Sequence, residues 1–126
     1  MAKHLSAFVV SLVLVAGMVL PAHAEKRVAL VIGNSAYQHT APLRNPSNDA
    51  SDMAEKLRAL GFEVIDGTNL SKSEMESRIR TFATKLSGAD VGLFFYAGHG
   101  MQVDGKNFLA PVDASLKSDA DPLRGG

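Results

Sequence analysis

The stretch Val91–Gly100, Val-Gly-Leu-Phe-Phe-Tyr-Ala-Gly-His-Gly, constrains this chain most. Its apolar residues Leu93 to Ala97 run without interruption into a histidine bracketed by two glycines. A short continuous apolar run bounded by glycines predicts a strand buried on both faces, as in a parallel sheet covered by helices. Gly98 and Gly100 allow the backbone to turn sharply and to approach a ligand closely. His99 is therefore expected just past the carboxyl end of a core strand, where open parallel sheets keep their ligands. An imidazole titrates near neutral pH and can act as a general base. The competing reading is a polar turn residue that happens to be histidine.

Two further strands are predicted. Arg27–Ile32 is β-rich and apolar and ends at Gly33-Asn34; Phe62–Ile65 is shorter and ends at Asp66-Gly67. Between them, Ser35 to Pro46 reads as a loop punctuated by Pro42 and Pro46. Ser47, Asn48 and Asp49 offer N-caps for a helix with Ala50, Met53, Ala54, Leu57 and Leu60 on one stripe, stopped by Gly61. Ser71 and Glu74 form a capping box for a second helix, whose stripe is Met75, Ile79, Phe82 and Leu86. After His99, Asp104-Gly105 between two short strand-like runs signals a hairpin that ends at Pro111. Residues 114–126 carry no periodic pattern and are expected to form an unstructured tail.

Composition excludes several classes. The chain has 13 basic and 13 acidic residues, so no basic field points to nucleic acid. It has no cysteine, which removes disulfides, cysteine-ligated metal and any thiol nucleophile within the sequence. Residues 1–24 read as a secretory signal peptide: Lys3, an apolar run from Leu5 to Leu20, Pro21, and a small-x-small cut after Ala24. The run is short for a spanning helix. A secreted or periplasmic product with no membrane attachment after cleavage is expected.

The order strand–helix–strand–helix–strand implies parallel pairing with right-handed crossovers. The expected fold is an α/β three-layer sandwich. Its parallel sheet runs in the order second–first–third, with an added β-hairpin, and is truncated on its carboxyl-terminal side. A crevice would then open between the ends of the first and third strands and gather Asn34, Asp49 and His99. Ser35 lacks the Gly-x-Ser-x-Gly elbow of a serine nucleophile. His39 and His99 lack metal-ligand spacing, and no phosphate-binding glycine motif follows the first strand. No cofactor or metal is expected.

At this point the residues resemble a known family. Val28–Ile32 with Gly33-Asn34-Ser35-Ala36-Tyr37, then Leu43–Ala50, then Leu60–Val64, look like the start of the caspase-like large-subunit domain, in its bacterial, metacaspase-like branch. Phe94–Gly100 is similar to that family's catalytic-histidine segment, and Asn107–Pro111 also fits. The resemblance spans roughly residues 27–113. It implies a cysteine endopeptidase acting on a peptide or protein substrate. By motif position, His99 matches the catalytic histidine and Gly100 a backbone N–H donor of the oxyanion hole. Asp49 matches an acid that binds a basic P1 side chain, and it also suits a helix N-terminus.

The chain departs from the family in one respect. The family's cysteine lies about 50 residues beyond the histidine, past Gly126. The expectation is a fragment of a longer reading frame, inactive by itself; the alternative is a catalytically inactive binding or scaffold domain. A flavodoxin-like small-molecule binder is a weaker third reading. A third strand this apolar with nothing on its outer side is an aggregation hazard. The product without its leader is therefore expected to be poorly soluble or to form a homodimer through that sheet edge.

Overall fold

The computed structural model describes residues 5–17 and 25–115. The elements are β1 (Leu5–Gly17), β2 (Arg27–Gly33), α1 (Pro46–Ala59), β3 (Phe62–Thr68), α2 (Lys72–Leu86), β4 (Val91–Val103) and β5 (Lys106–Leu109). The sheet order is β1-β4-β2-β3, with β5 also on β4. Strand β2 is parallel to both β3 and β4, so the expected second–first–third order is the observed core.

Strand β2 is central, and Val28, Ala29, Val31 and Ile32 have no exposed surface. Alternate side chains go to opposite helices, as the two-residue period of a strand requires. Ala29 and Val31 pack with Ala50, Ala54 and Leu57 of α1, together with Phe95 and Ala97 of β4. Leu30 and Ile32 pack with Met75 of α2, Leu70 and Tyr96. This two-sided burial explains why Arg27–Gly33 and Leu93–Ala97 show no polar alternation. At the end of β2, a Cβ on Gly33 would lie 2.2 Å from the Pro46 carbonyl oxygen and 2.6 Å from the Ala50 Cβ. Only glycine lets the first turn of α1 sit on the strand end.

The helices differ at their starts. Helix α1 begins at Pro46, whose fixed φ suits a first helical turn. None of the expected caps Ser47, Asn48 and Asp49 serves, and Asn45 at the N-cap makes no side-chain bond. Ser35 Oγ instead accepts the Ser47 N–H (2.9 Å) from the preceding loop. Helix α2 has the predicted capping box: Glu74 N–H donates to Ser71 Oγ (3.2 Å) and Ser71 N–H to Glu74 Oε1 (3.1 Å).

Three expectations are corrected. Strand β3 continues through Asp66-Gly67 to Thr68 because its whole length pairs with β2. Strand β4 does not turn at Gly98 but runs on to Val103, since β1 on one side and β5 on the other carry its ladder forward. Ala114 does not belong to a loose tail: it is fully buried with Tyr37, Met101, Ala110 and Val112. Residues 116–126 lie outside the described residues. In the chain with residues 1–24 still attached, Leu5–Gly17 forms β1 and pairs antiparallel along all of β4. The physical cause is mutual: an apolar strand edge with free backbone groups is a template, and an uncharged apolar segment of the same chain fills it. On β1, Val9, Val13, Leu14 and Val15 remain more than half exposed. The edge expected to drive dimerisation is therefore occupied in this chain.

The α2 start gives the first testable expectations. Ser71→Ala should lower stability by about 1 kcal/mol, read by urea unfolding. The Ser71 N–H, and then its hydroxyl, hold the Glu74 carboxyl below its ordinary value of 4.5. A lowered folded-state value means that this contribution is complete above the ordinary glutamate range and fades as pH falls through the lowered value. The stability gap between the wild-type chain and Glu74→Gln should narrow correspondingly on acidification.

Candidate active site

His99 lies where β4 changes neighbours. The parallel ladder with β2 ends at Gly33↔Ala97, and the antiparallel ladder with β5 begins at Gly100↔Leu109. Between these points the loop that follows β2 supplies the partners. The His99 Nε2 is 3.1 Å from the Ala41 carbonyl oxygen. A carbonyl only accepts, so Nε2 carries the proton and, in the neutral ring, Nδ1 keeps its lone pair. That Nδ1 is buried and has no hydrogen-bond partner among the described residues. A buried unsatisfied acceptor costs about 1–3 kcal/mol.

The surrounding backbone is held by side chains that converge on Ala110. Asn34 is fully buried. Its Oδ1 accepts the Leu70 N–H (2.9 Å), and its Nδ2 donates to the Ala110 carbonyl (3.2 Å). The Tyr37 hydroxyl is 2.9 Å from the same carbonyl oxygen and accepts the His99 N–H at 2.8 Å. The Tyr96 hydroxyl is 2.7 Å from the His99 carbonyl oxygen and 3.1 Å from that of Ala110. The two hydroxyl oxygens lie 3.2 Å apart. Burial raises the Tyr37 phenol above its ordinary value. The Tyr96 phenol is pushed far up, by burial first and by Tyr37 second. Both therefore stay protonated as neutral donors. The Tyr37 ring meets the imidazole edge-on at 4.5 Å.

The other candidate residues lie apart from this cluster. Gly100 is buried between Leu109 of β5 and Phe8 of β1. A Cβ there would come within 2.8 Å of the Phe8 ring and 2.7 Å of Val10 Cγ2. Asp49 is exposed in the first turn of α1. It borders a cavity of about 300 Å³ with Ser11, Asp52, Met53, Lys56 and Phe95. His99 does not line that cavity, so the structure does not join Asp49 and His99 in one pocket. Asn34 reaches the histidine's neighbourhood through the Ala110 carbonyl and through its N–H bond to the Ala97 carbonyl of β4 (2.9 Å). The Ser35 hydroxyl is engaged at the start of α1.

Comparison with known proteins matches the caspase domain family over residues 26–125. The chain belongs to the caspase domain family. It is 37% identical over 91 residues to the human mucosa-associated lymphoid tissue lymphoma translocation protein 1, covering 72% of this chain and 11% of that protein. It is 30% identical over 97 residues to caspase-1 of Mus musculus, covering 74% of this chain and 24% of the relative. For caspase-1-B of Xenopus laevis the identity is 37% over 65 residues, covering 52% of this chain and 17% of the relative. The chain thus spans between about a tenth and a quarter of the length of these curated relatives. The α/β architecture with its mostly parallel sheet is that of a caspase-like fold. The caspase-domain match begins at residue 26, so β1 lies outside it.

Sequence reasoning missed Tyr37, Tyr96, Ala41 and Ala110. Tyr96 sits inside the apolar run and reads as core. Tyr37 carries only the signal of an aromatic in a loop of small and polar residues. Ala41 and Ala110 act through backbone oxygens, which no side-chain pattern reports. Gly98 joins these groups: a Cβ on it would lie 2.5 Å from the Tyr96 hydroxyl and 2.7 Å from that of Tyr37. Gly98→Ala should therefore separate the two hydroxyls and destabilise the caspase domain by about 1–3 kcal/mol, the cost of overpacking a filled core, measured by thermal or urea unfolding.

Proposed function

We propose that this caspase-domain chain provides the base and substrate-positioning part of a cysteine-type endopeptidase that cleaves after basic residues. The observation that carries the reading is the fixed tautomer of His99, with Nε2 committed to Ala41 and Nδ1 free to accept. In this reading Nδ1 takes the proton of a thiol, the thiolate attacks the scissile carbonyl, and the imidazolium returns the proton to the leaving amine. The Gly100 N–H stabilises the oxyanion; the Asp49 carboxylate, whose cavity is walled off by Ser11 of β1 in this chain, receives a P1 arginine or lysine only once β1 is removed. These 126 residues contain no cysteine, so the thiol would come from residues outside this sequence. Placement in a bacterial, metacaspase-like branch is part of the proposal and rests on the resemblance of Val28–Tyr37, Leu43–Ala50 and Leu60–Val64. Export is part of it too and rests on the signal-peptide pattern of residues 1–24, whose removal would take away β1 and free the β4 edge at Gly100.

A second reading has its own support in the absence of cysteine: a catalytically inactive caspase-like domain that binds without cutting. The protein made from the whole reading frame that encodes this segment separates the two. Assayed on fluorogenic peptides, it should cleave after Arg or Lys and not after Asp. His99→Ala should lower kcat by about 10²–10⁴-fold, and Asp49→Ala should act chiefly on kcat/KM for the basic substrates. Retention of full activity in His99→Ala overturns the base assignment. Saturable peptide binding without cleavage supports the inactive domain.

A further inference from the structure

We propose that Tyr37 and Tyr96 are positioning residues that clamp the backbone of His99 from both sides, so that its ring stays docked on Ala41 with Nδ1 presented as the base. The inference deepens the peptidase reading of His99 and rests on it.

The clamp follows from counting protons. Each hydroxyl has one proton to give, and two carbonyl oxygens lie within reach. The shortest contact assigns the Tyr96 proton to the His99 carbonyl (2.7 Å) and leaves the Tyr37 proton for Ala110 (2.9 Å). The Tyr37 oxygen then remains open to accept the His99 N–H (2.8 Å). Both backbone groups of one residue are thereby held by two side chains that are themselves tied to a third point, Ala110. That point is fixed further by Asn34 and by the Ala110 N–H bond to the His99 carbonyl oxygen (3.0 Å).

Tyr37 has a second effect. It belongs to the same loop as Ala41, the acceptor for Nε2. Binding Tyr37 to the histidine backbone sets how far that loop stands from β4, and so where the Ala41 carbonyl meets the ring. The edge-on contact of the Tyr37 ring restrains rotation of the imidazole. Gly98 makes room for both hydroxyls.

The test is proton NMR on the full 126-residue chain, with His99→Gln used to assign the ring signals. In the wild-type chain the His99 Nε2–H should give a resolved, slowly exchanging resonance. Tyr37→Phe keeps the ring and loses the hydroxyl. Its Nε2–H should exchange about five- to tenfold faster, as expected when one hydrogen bond no longer holds the loop. Arg27→Ala, which removes the bond to the Leu60 carbonyl (2.7 Å) at the opposite end of β2, should leave that rate unchanged. Equal acceleration in both variants, or none in Tyr37→Phe, overturns the clamp. If Tyr37→Phe does not fold, the wild-type chain still decides: a slowly exchanging Tyr37 hydroxyl proton with a cross-peak to the His99 amide supports the clamp, and a fast-exchanging one overturns it. Because the readout needs no peptidase activity, an intact clamp in a protein that cleaves nothing would defeat the enzyme reading alone.

Discussion

Strand β2 has water on neither face, and this constraint governs the rest of the molecule. Its side chains are buried under α1 on one side and α2 on the other, and its backbone groups have β3 and β4 as partners. A strand so enclosed can only emerge at its ends, and its carboxyl end delivers Asn34 into the interior. A buried amide must find partners or pay several kcal/mol. Asn34 finds them in the Leu70 N–H and the Ala110 carbonyl. That requirement draws the β3–α2 connection and the segment after β5 toward the part of β4 where its parallel ladder ends, beside His99. The candidate site is thus a consequence of satisfying polar groups at the mouth of a dry sheet.

The same logic explains the two outer edges. Strand β3 is bordered by charge: Arg58 pairs with Asp66 and Lys85 with Glu63. These exposed pairs contribute little stability, but they make that edge a poor template for another chain. The opposite edge is β1, whose thirteen residues carry no charge. It relieves β4 of free backbone groups and presents an apolar edge and faces of its own. The caspase-domain match excludes it. The domain's core sheet and the strand that closes it therefore have different origins in the sequence, and Gly100 lies at their contact.

Much of the core was legible because its signals are local. Uninterrupted apolar runs at Arg27–Gly33 and Leu93–Ala97 report two-sided burial directly. The Ser71–Glu74 box marks a helix start within four residues. Asp104-Gly105 adopts positive φ at both positions, as a tight two-residue hairpin loop demands. The errors fall where a remote partner overrode local composition. Gly98 and Gly100 suggested a turn, yet ladders on both sides keep β4 extended. Asp66-Gly67 suggested a stop, yet β2 pairs through it. The N-cap of α1 was sought in Ser47–Asp49, whereas a serine twelve residues upstream supplies the acceptor.

For the site, the sequence by itself determined that an imidazole would follow the buried, parallel-paired stretch of a core strand, because hydrophobic periodicity is encoded residue by residue. Only the tertiary structure decided which nitrogen is free, which hydroxyls hold the histidine, and that Asp49 opens into a different cavity. Those facts depend on the Ala41 and Ala110 carbonyls, on tyrosines far apart in the chain, and on the distance between α1 and β4. A hydrogen bond to a backbone oxygen is set by where the chain passes and not by which side chain it carries, so no reading of residue types alone could supply it.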